Sequence, residues 1–230
     1  MAMPASAPLA TAVPPNQQPQ IQTRKSQIPN LLTLLRLVLA AVFFVTLNLY
    51  RYPHGPDAAL LAAVAVFILA SVTDWLDGFL ARRWQAESVF GRIMDPFCDK
   101  VLVIGAFIYL AGPRMVIPEA VDRGDWFTMA SGVYPWMVAI ILARELLVTG
   151  IRGEMESCGI QFGAKLWGKL KTVLQLIAIP VVLLTVWQHP TAPGHTWMAL
   201  LRDVLVYATV IVTVVSGLPY ITSAARALRE

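Results

Sequence analysis

Asp74-Trp75-Leu76-Asp77-Gly78-Phe79-Leu80-Ala81-Arg82, followed by Gly91-Arg92-Ile93-Met94-Asp95-Pro96-Phe97-Cys98-Asp99, holds half of the chain's aspartates. The residues on either side are strongly apolar. Of the 230 residues, 57% are hydrophobic and 14% are charged, where a soluble domain carries about 25% charged residues. With a mean hydropathy of +0.63, the chain reads as an integral membrane protein. A carboxylate near lipid must be paired, solvated or bound to a cation, which makes these four aspartates functional candidates.

Apolar segments lie near residues 31–50, 58–81, 97–117, 129–150, 168–188 and 197–220. Each is close to the roughly 20 residues a helix needs to cross a bilayer. The runs are continuous and lack the alternation of a β-barrel strand. They predict an all-α protein of six transmembrane helices, with its softest boundaries at Pro113, Pro118 and Pro135. Six spans put both termini on one side. That side collects Arg24, Lys25, Arg82, Arg83, Arg92, Arg152, Lys165, Lys169, Lys171, Arg226 and Arg229. The positive-inside rule makes it the cytoplasmic side, aspartates included. Basic residues that flank spans in this way argue against a nucleic-acid partner. Cys98 and Cys158 fall on or near that side and read as free thiols. Residues 1–26 read as a disordered cytoplasmic tail, 27–226 as the membrane domain and 227–230 as a short cytoplasmic end. Residues 21–30 are expected to form a short interfacial helix, with Arg24 and Lys25 attracted to anionic lipid.

Helical spacing sets Asp74, Asp77, Gly78, Ala81 and Arg82 on one face. Gly91, Asp95 and Asp99 recur four apart on the next segment. Pro96 lacks an N–H and fits the first turn of the third span, with Asp95 as its N-cap. Four converging carboxylates repel one another unless cations lie between them. An all-oxygen donor set favours Mg²⁺ or Mn²⁺. Two such ions about 3.5–4 Å apart clamp an in-line displacement at phosphorus. Arg82 offers a forked donor to a phosphate oxygen. One rival reading is a set of interhelical ion pairs, with Arg82, Arg83, Arg92 and Lys100 as the nearby cations. Another is an ion-coupled transporter that uses the acids as a pathway.

The pattern Asp74-x2-Asp77-Gly78-x2-Ala81-Arg82-x8-Gly91-x3-Asp95-x3-Asp99 resembles the signature of the CDP-alcohol phosphotransferases. The resemblance covers roughly residues 26–226. It implies a transferase that moves a phosphatidyl or similar group from a CDP-linked donor to an alcohol, releasing CMP. It also implies that Asp74, Asp77 and Asp95 hold two metal ions, with Asp99 a further ligand and the general base. Gly78, Ala81, Arg82, Ser88 and Gly91 are then expected at the CDP moiety. Asn30 and Thr33, opening the first span, match a further contact to the nucleotide. A homodimer follows from the same similarity.

The acceptor is read from the later spans. Arg144 and Arg152 lie eight apart on one helical face, with Glu145 beside the first. Lys165 and Lys169 precede and open the fifth span. Basic groups gathered there suit an acceptor that carries its own phosphate. The segments Ala143-Arg144-Glu145 through Arg152, Gly168-Lys169-x-Lys171-Thr172, Ile28 to Thr33 and Ser223 to Arg226 resemble those of a bacterial branch of the family. That branch, the phosphatidylglycerophosphate synthases, joins CDP-diacylglycerol to sn-glycerol 3-phosphate at the inner membrane. Inositol phosphate, or phosphatidylglycerol in cardiolipin synthesis, are the alternative acceptors.

Overall fold

A computed structural model describes residues 24–84, 89–157, 166–189 and 196–227. The side chains of 24–33, 77–84, 89–96, Asp99, Glu156, 166–167, Thr196 and 225–227 lie outside the described residues. The chain is all-helical. Its elements are α1 (Arg24–Leu49), α2 (Asp57–Trp84), α3 (Val89–Leu110), a short α4 (Pro118–Asp122), α5 (Pro135–Ser157), α6 (Leu166–Trp187) and α7 (Thr196–Ala227). Among the described residues the only β pairing is one antiparallel bridge, Val116 to Met129.

The first helix shows why the bundle belongs in lipid. Arg36, Ala40, Phe43 and Leu47 form its buried stripe, while Leu34, Val38, Val42, Val45 and Leu49 form an exposed one. A helix that is apolar on both faces is a core or membrane helix. Among the described residues, three helices contain stretches long and apolar enough to cross a membrane: Asp57–Leu76, Gly168–Trp187 and Trp197–Ala224. The apolar stretches Leu34–Leu49 and Lys100–Leu110 are shorter. The apolar run of α5 is interrupted at mid-length by Arg144 and Glu145, while the helix itself continues.

α1 packs against both α2 and α3, α6 bridges α2 and α7, and α5 packs on α7. Between apolar helices in lipid, close packing replaces the hydrophobic effect as the source of cohesion. The rings of Phe43 and Phe67 meet at 5.5 Å between α1 and α2. Phe44 stacks on Tyr109 of α3 at the same 5.5 Å separation. Gly105 makes the α1–α3 approach possible, since a Cβ there would lie 2.4 Å from the Phe44 ring.

Three expectations need correction. Residues 24–30 are not a separate interfacial helix but the opening turns of α1. Extension of a nucleated helix costs less than starting a second one. The third apolar segment ends at Leu110, not 117, and the fourth begins at Pro135, not 129. Pro113 and Pro118 each open a short new turn, because proline fits a first turn and not a continuing one. Finally, α3 begins at Val89, so Asp95 is not its N-cap and Pro96 sits within it. The one hydrogen bond that proline forgoes is tolerated in a helix held by its neighbours.

The end of the bundle that carries the α1–α2 turn is closed by backbone bonds. Tyr52 N–H donates to the Arg114 carbonyl at 2.9 Å, Ile117 N–H to Thr128 at 2.8 Å and Ala130 N–H to Met115 at 2.8 Å. Ser131 Oγ donates to the last α3 carbonyl, Leu110, at 2.6 Å. Arg202 of α7 reaches in to the Ala130 carbonyl at 2.6 Å. Gly132 has φ +66 and leaves no room for a Cβ beside Arg202 Nε and Asp203 Oδ1, each 2.7 Å away.

Candidate functional site

At the opposite end of the bundle the same chain becomes ionic. Asp74 and Asp77 lie on α2, which runs unbroken to Trp84. Gly78, Ala81 and Arg82 fall on the same face by helical spacing. Asp95 and Asp99 lie one turn apart on α3, with Gly91 one turn earlier. Asp74 is the one member of the array whose side chain is described. The side chains of Asp77, Gly78, Ala81, Arg82, Gly91, Asp95 and Asp99 lie outside the described residues, as do those of Asn30 and Thr33 on α1. Ser88 and Lys165 lie outside them altogether.

Asp74 has a partner that the motif does not reveal. Arg36 Nη2 of α1 lies 2.7 Å from Asp74 Oδ1, with the arginine side chain 1% exposed and the carboxylate 43%. The cations of the motif's own segments, Arg82, Arg83, Arg92 and Lys100, are the nearest in sequence and do not include it. The signal that could find it is a lone cation in Leu34-Leu35-Arg36-Leu37-Val38, which in an apolar helix must face the bundle and meet an acid. The hydroxyls beside Asp74 do not compete for it. Thr73 Oγ1 donates to the Ala70 carbonyl at 2.8 Å. Ser71 Oγ donates to that of Phe67, also at 2.8 Å.

A second ionic group joins α5, α6 and α7. Glu145 accepts from Arg144 Nη1 at 3.0 Å and from Lys171 Nζ of α6. Arg144 Nη2 also reaches the Ser216 carbonyl of α7, at 3.4 Å. Lys100 of α3 donates to Thr149 Oγ1 of α5 at 2.6 Å, and that hydroxyl donates to the Glu145 carbonyl at 2.7 Å. Lys171 is buried, whereas Lys169, two residues earlier and on the other side of α6, is exposed. Arg152 is exposed on α5. Glu145 is therefore the partner of part-buried Arg144 and of buried Lys171, and Lys171 is part of the clasp between helices. Cys98 is buried and in no disulfide among the described residues, and Cys158 lies outside the described residues.

The donor set fits a hard divalent cation. Four carboxylates on two successive helices, with oxygen the only donor atom, suit Mg²⁺ or Mn²⁺. A ligating carboxylate is itself held by a hydrogen-bond donor in well-built metal sites, and Arg36 supplies one to Asp74.

Residues 26–215 match the family model for CDP-alcohol phosphatidyltransferase. A Bacillus subtilis protein named CDP-diacylglycerol–glycerol-3-phosphate 3-phosphatidyltransferase is 33% identical over 209 residues, covering 88% of this chain and 97% of that protein. Its namesake from Escherichia coli K12 is 35% identical over 202 residues, covering 87% and 95%. The Haemophilus influenzae namesake is 28% identical over 208 residues, covering 90% and 97%. The family match spans Arg36, the aspartate array and the basic clasp alike, and the chain belongs to the CDP-alcohol phosphatidyltransferase family.

Proposed function

We propose that this chain is a CDP-diacylglycerol–glycerol-3-phosphate 3-phosphatidyltransferase, which transfers a phosphatidyl group to sn-glycerol 3-phosphate and releases CMP. The observation that carries this reading is the near full-length match to relatives bearing that name, 97% of one and 95% of another. The ionic end of the bundle supports it. An acceptor hydroxyl oxygen attacks the phosphatidyl phosphorus, the bond from phosphorus to the CMP oxygen breaks, and the proton passes to Asp99 as general base. Two Mg²⁺ or Mn²⁺ ions held by Asp74, Asp77 and Asp95, with Asp99 a further ligand, would neutralise charge on the pyrophosphate and the departing CMP. Arg82 binds a donor phosphate oxygen through its forked guanidinium. Gly78, Ala81 and Gly91 leave room for the nucleotide, and Asn30, Thr33 and Ser88 hold it.

Acceptor choice rests on the basic clasp. Arg144 and Lys171 share the single carboxylate of Glu145, and Lys100 is close by on Thr149. This surplus of positive charge, to which the sequence adds Arg152, Lys165 and Lys169, suits an acceptor bearing a phosphate and disfavours choline or ethanolamine. The domain spans residues 27–226 and forms six membrane helices, with both termini and the site at the cytoplasmic face of the bacterial inner membrane. It works as a homodimer.

The test is CMP release from CDP-diacylglycerol by the purified protein in detergent, with a panel of acceptors and with EDTA. Release with glycerol 3-phosphate that EDTA abolishes is expected. Release with inositol phosphate or phosphatidylglycerol in its place would overturn the acceptor. No release with any acceptor would overturn the reaction.

A further inference from the structure

We propose that Arg36 is a positioning residue that fixes the Asp74 carboxylate in the orientation a divalent cation requires; this rests on the metal-site reading above. The guanidinium belongs to the largest fully buried side chain in the described bundle. Burial of such a group is costly unless a strong partner compensates. Its contact with Asp74 Oδ1 at 2.7 Å is a charge-assisted bond at the short end of its range. The two charges are unequally placed. The arginine is sealed inside the α1–α2 seam, and the carboxylate is 43% exposed.

That asymmetry is built by the packing. Arg36 stands one turn before Ala40 and two before Phe43 on the buried stripe of α1. Asp74 stands one turn after Ala70, and two after Phe67, on α2. Ala40, Ala63 and Ala70 are all buried, and residues this small let the two backbones approach. The Phe43–Phe67 contact at 5.5 Å sets the register of the pair. Because both backbones are held, a guanidinium at hydrogen-bond distance selects one rotamer of Asp74. A carboxylate has about four lone-pair sites, so one oxygen can accept from Arg36 while the group still serves a cation.

Three roles predict different signs for the change in cation affinity when Arg36 is replaced. A positioning role predicts weaker binding, because the ligand is released to other rotamers. A purely electrostatic role predicts tighter binding, because a positive charge has left a negative site. A purely structural role predicts unchanged affinity with a lower melting temperature.

Mn²⁺ alone is the probe, its free fraction read by electron paramagnetic resonance on protein in detergent well below the melting temperature. Wild type, Arg36→Met, Arg36→Lys, Asp77→Asn and, as a structural control, Arg202→Met are compared. Arg36→Met is expected to weaken Mn²⁺ binding about 10- to 100-fold, the usual effect of removing a ligand's hydrogen-bond partner. Arg36→Lys, which keeps the charge and removes the fork, should fall between it and wild type, and it carries the test if the methionine variant does not fold. Arg202→Met should bind as wild type does. Unchanged or tighter binding in the Arg36 variants would overturn the proposal while the metal site stands. Failure of wild type to bind Mn²⁺, or an Asp77→Asn variant that binds equally well, would instead overturn the metal reading.

Discussion

Arg36 and Arg202 make the same contact at opposite ends of the bundle. Each is a buried arginine against an aspartate that is 43% exposed, at 2.7 Å and 2.8 Å. What differs is where the aspartate comes from. Asp203 is the next residue on the same helix, and Arg202 spends a further donor on the Ala130 carbonyl. Its fork closes a loop against α7. Asp74 belongs to a different helix and opens the four-acid array. Under the proposed reading, the same pair chemistry serves stability at one end and the geometry of a reaction site at the other. Burial and distance do not separate the two roles. The identity of the acid's neighbours does.

The sharpest way to break this contrast is to disable each end without touching the other. Asp99→Asn is expected to reduce CMP release by about 100- to 10,000-fold, the contribution of a general base. Its melting temperature and its binding of the CDP donor should stay close to wild type. Normal turnover in that variant would remove Asp99 from its role. Arg202→Met should do the reverse. It leaves the buried Ala130 carbonyl without its side-chain donor, at a cost of about 1–3 kcal/mol, seen as a lower melting temperature with turnover retained. If Arg202→Met lowers turnover as much as Asp99→Asn does, the two ends are coupled and the separation fails.

A third variant, Arg144→Ala, tests the ground between them. Arg144 binds Glu145 and reaches the Ser216 carbonyl, so it belongs to the clasp, yet its chemistry suits an acceptor phosphate. A hydrogen bond to a charged group contributes about 1.5–3 kcal/mol, so its removal should raise the acceptor KM on the order of tenfold or more while the donor KM moves little. Equal KM values with a lower melting temperature would assign Arg144 to packing alone.

The long helices are legible in the sequence because apolar runs interrupted by proline and charge leave few other solutions in lipid. The aspartate pattern can be read because Asp74 and Asp77, and then Asp95 and Asp99, recur at helical spacing on two successive helices. Arg36 is not, because its partner stands far along the sequence, on the next helix, and only the antiparallel α1–α2 packing brings them together. Lys171 is hidden for a related reason. In sequence it is one more positive residue at a span's edge, like Lys169. Which of the two turns inward depends on where α5 presents Glu145. Asp95 fails as a cap because proline's preference for a first turn is a local rule, and the bundle overrides it.

The smallest effect expected belongs to the closed end. Tyr50 is fully buried, and its hydroxyl finds no hydrogen-bond partner among the described residues. A buried hydroxyl that gives up water and gains nothing is a net cost. Tyr50→Phe removes that oxygen and keeps the ring that packs beneath the turn, so the melting temperature should stay level or rise slightly, with turnover unchanged. A clear fall would mean that the hydroxyl holds a partner outside the described residues. The turn end would then contain a polar network of its own, and closure by backbone bonds and Arg202 would be only part of how it is sealed.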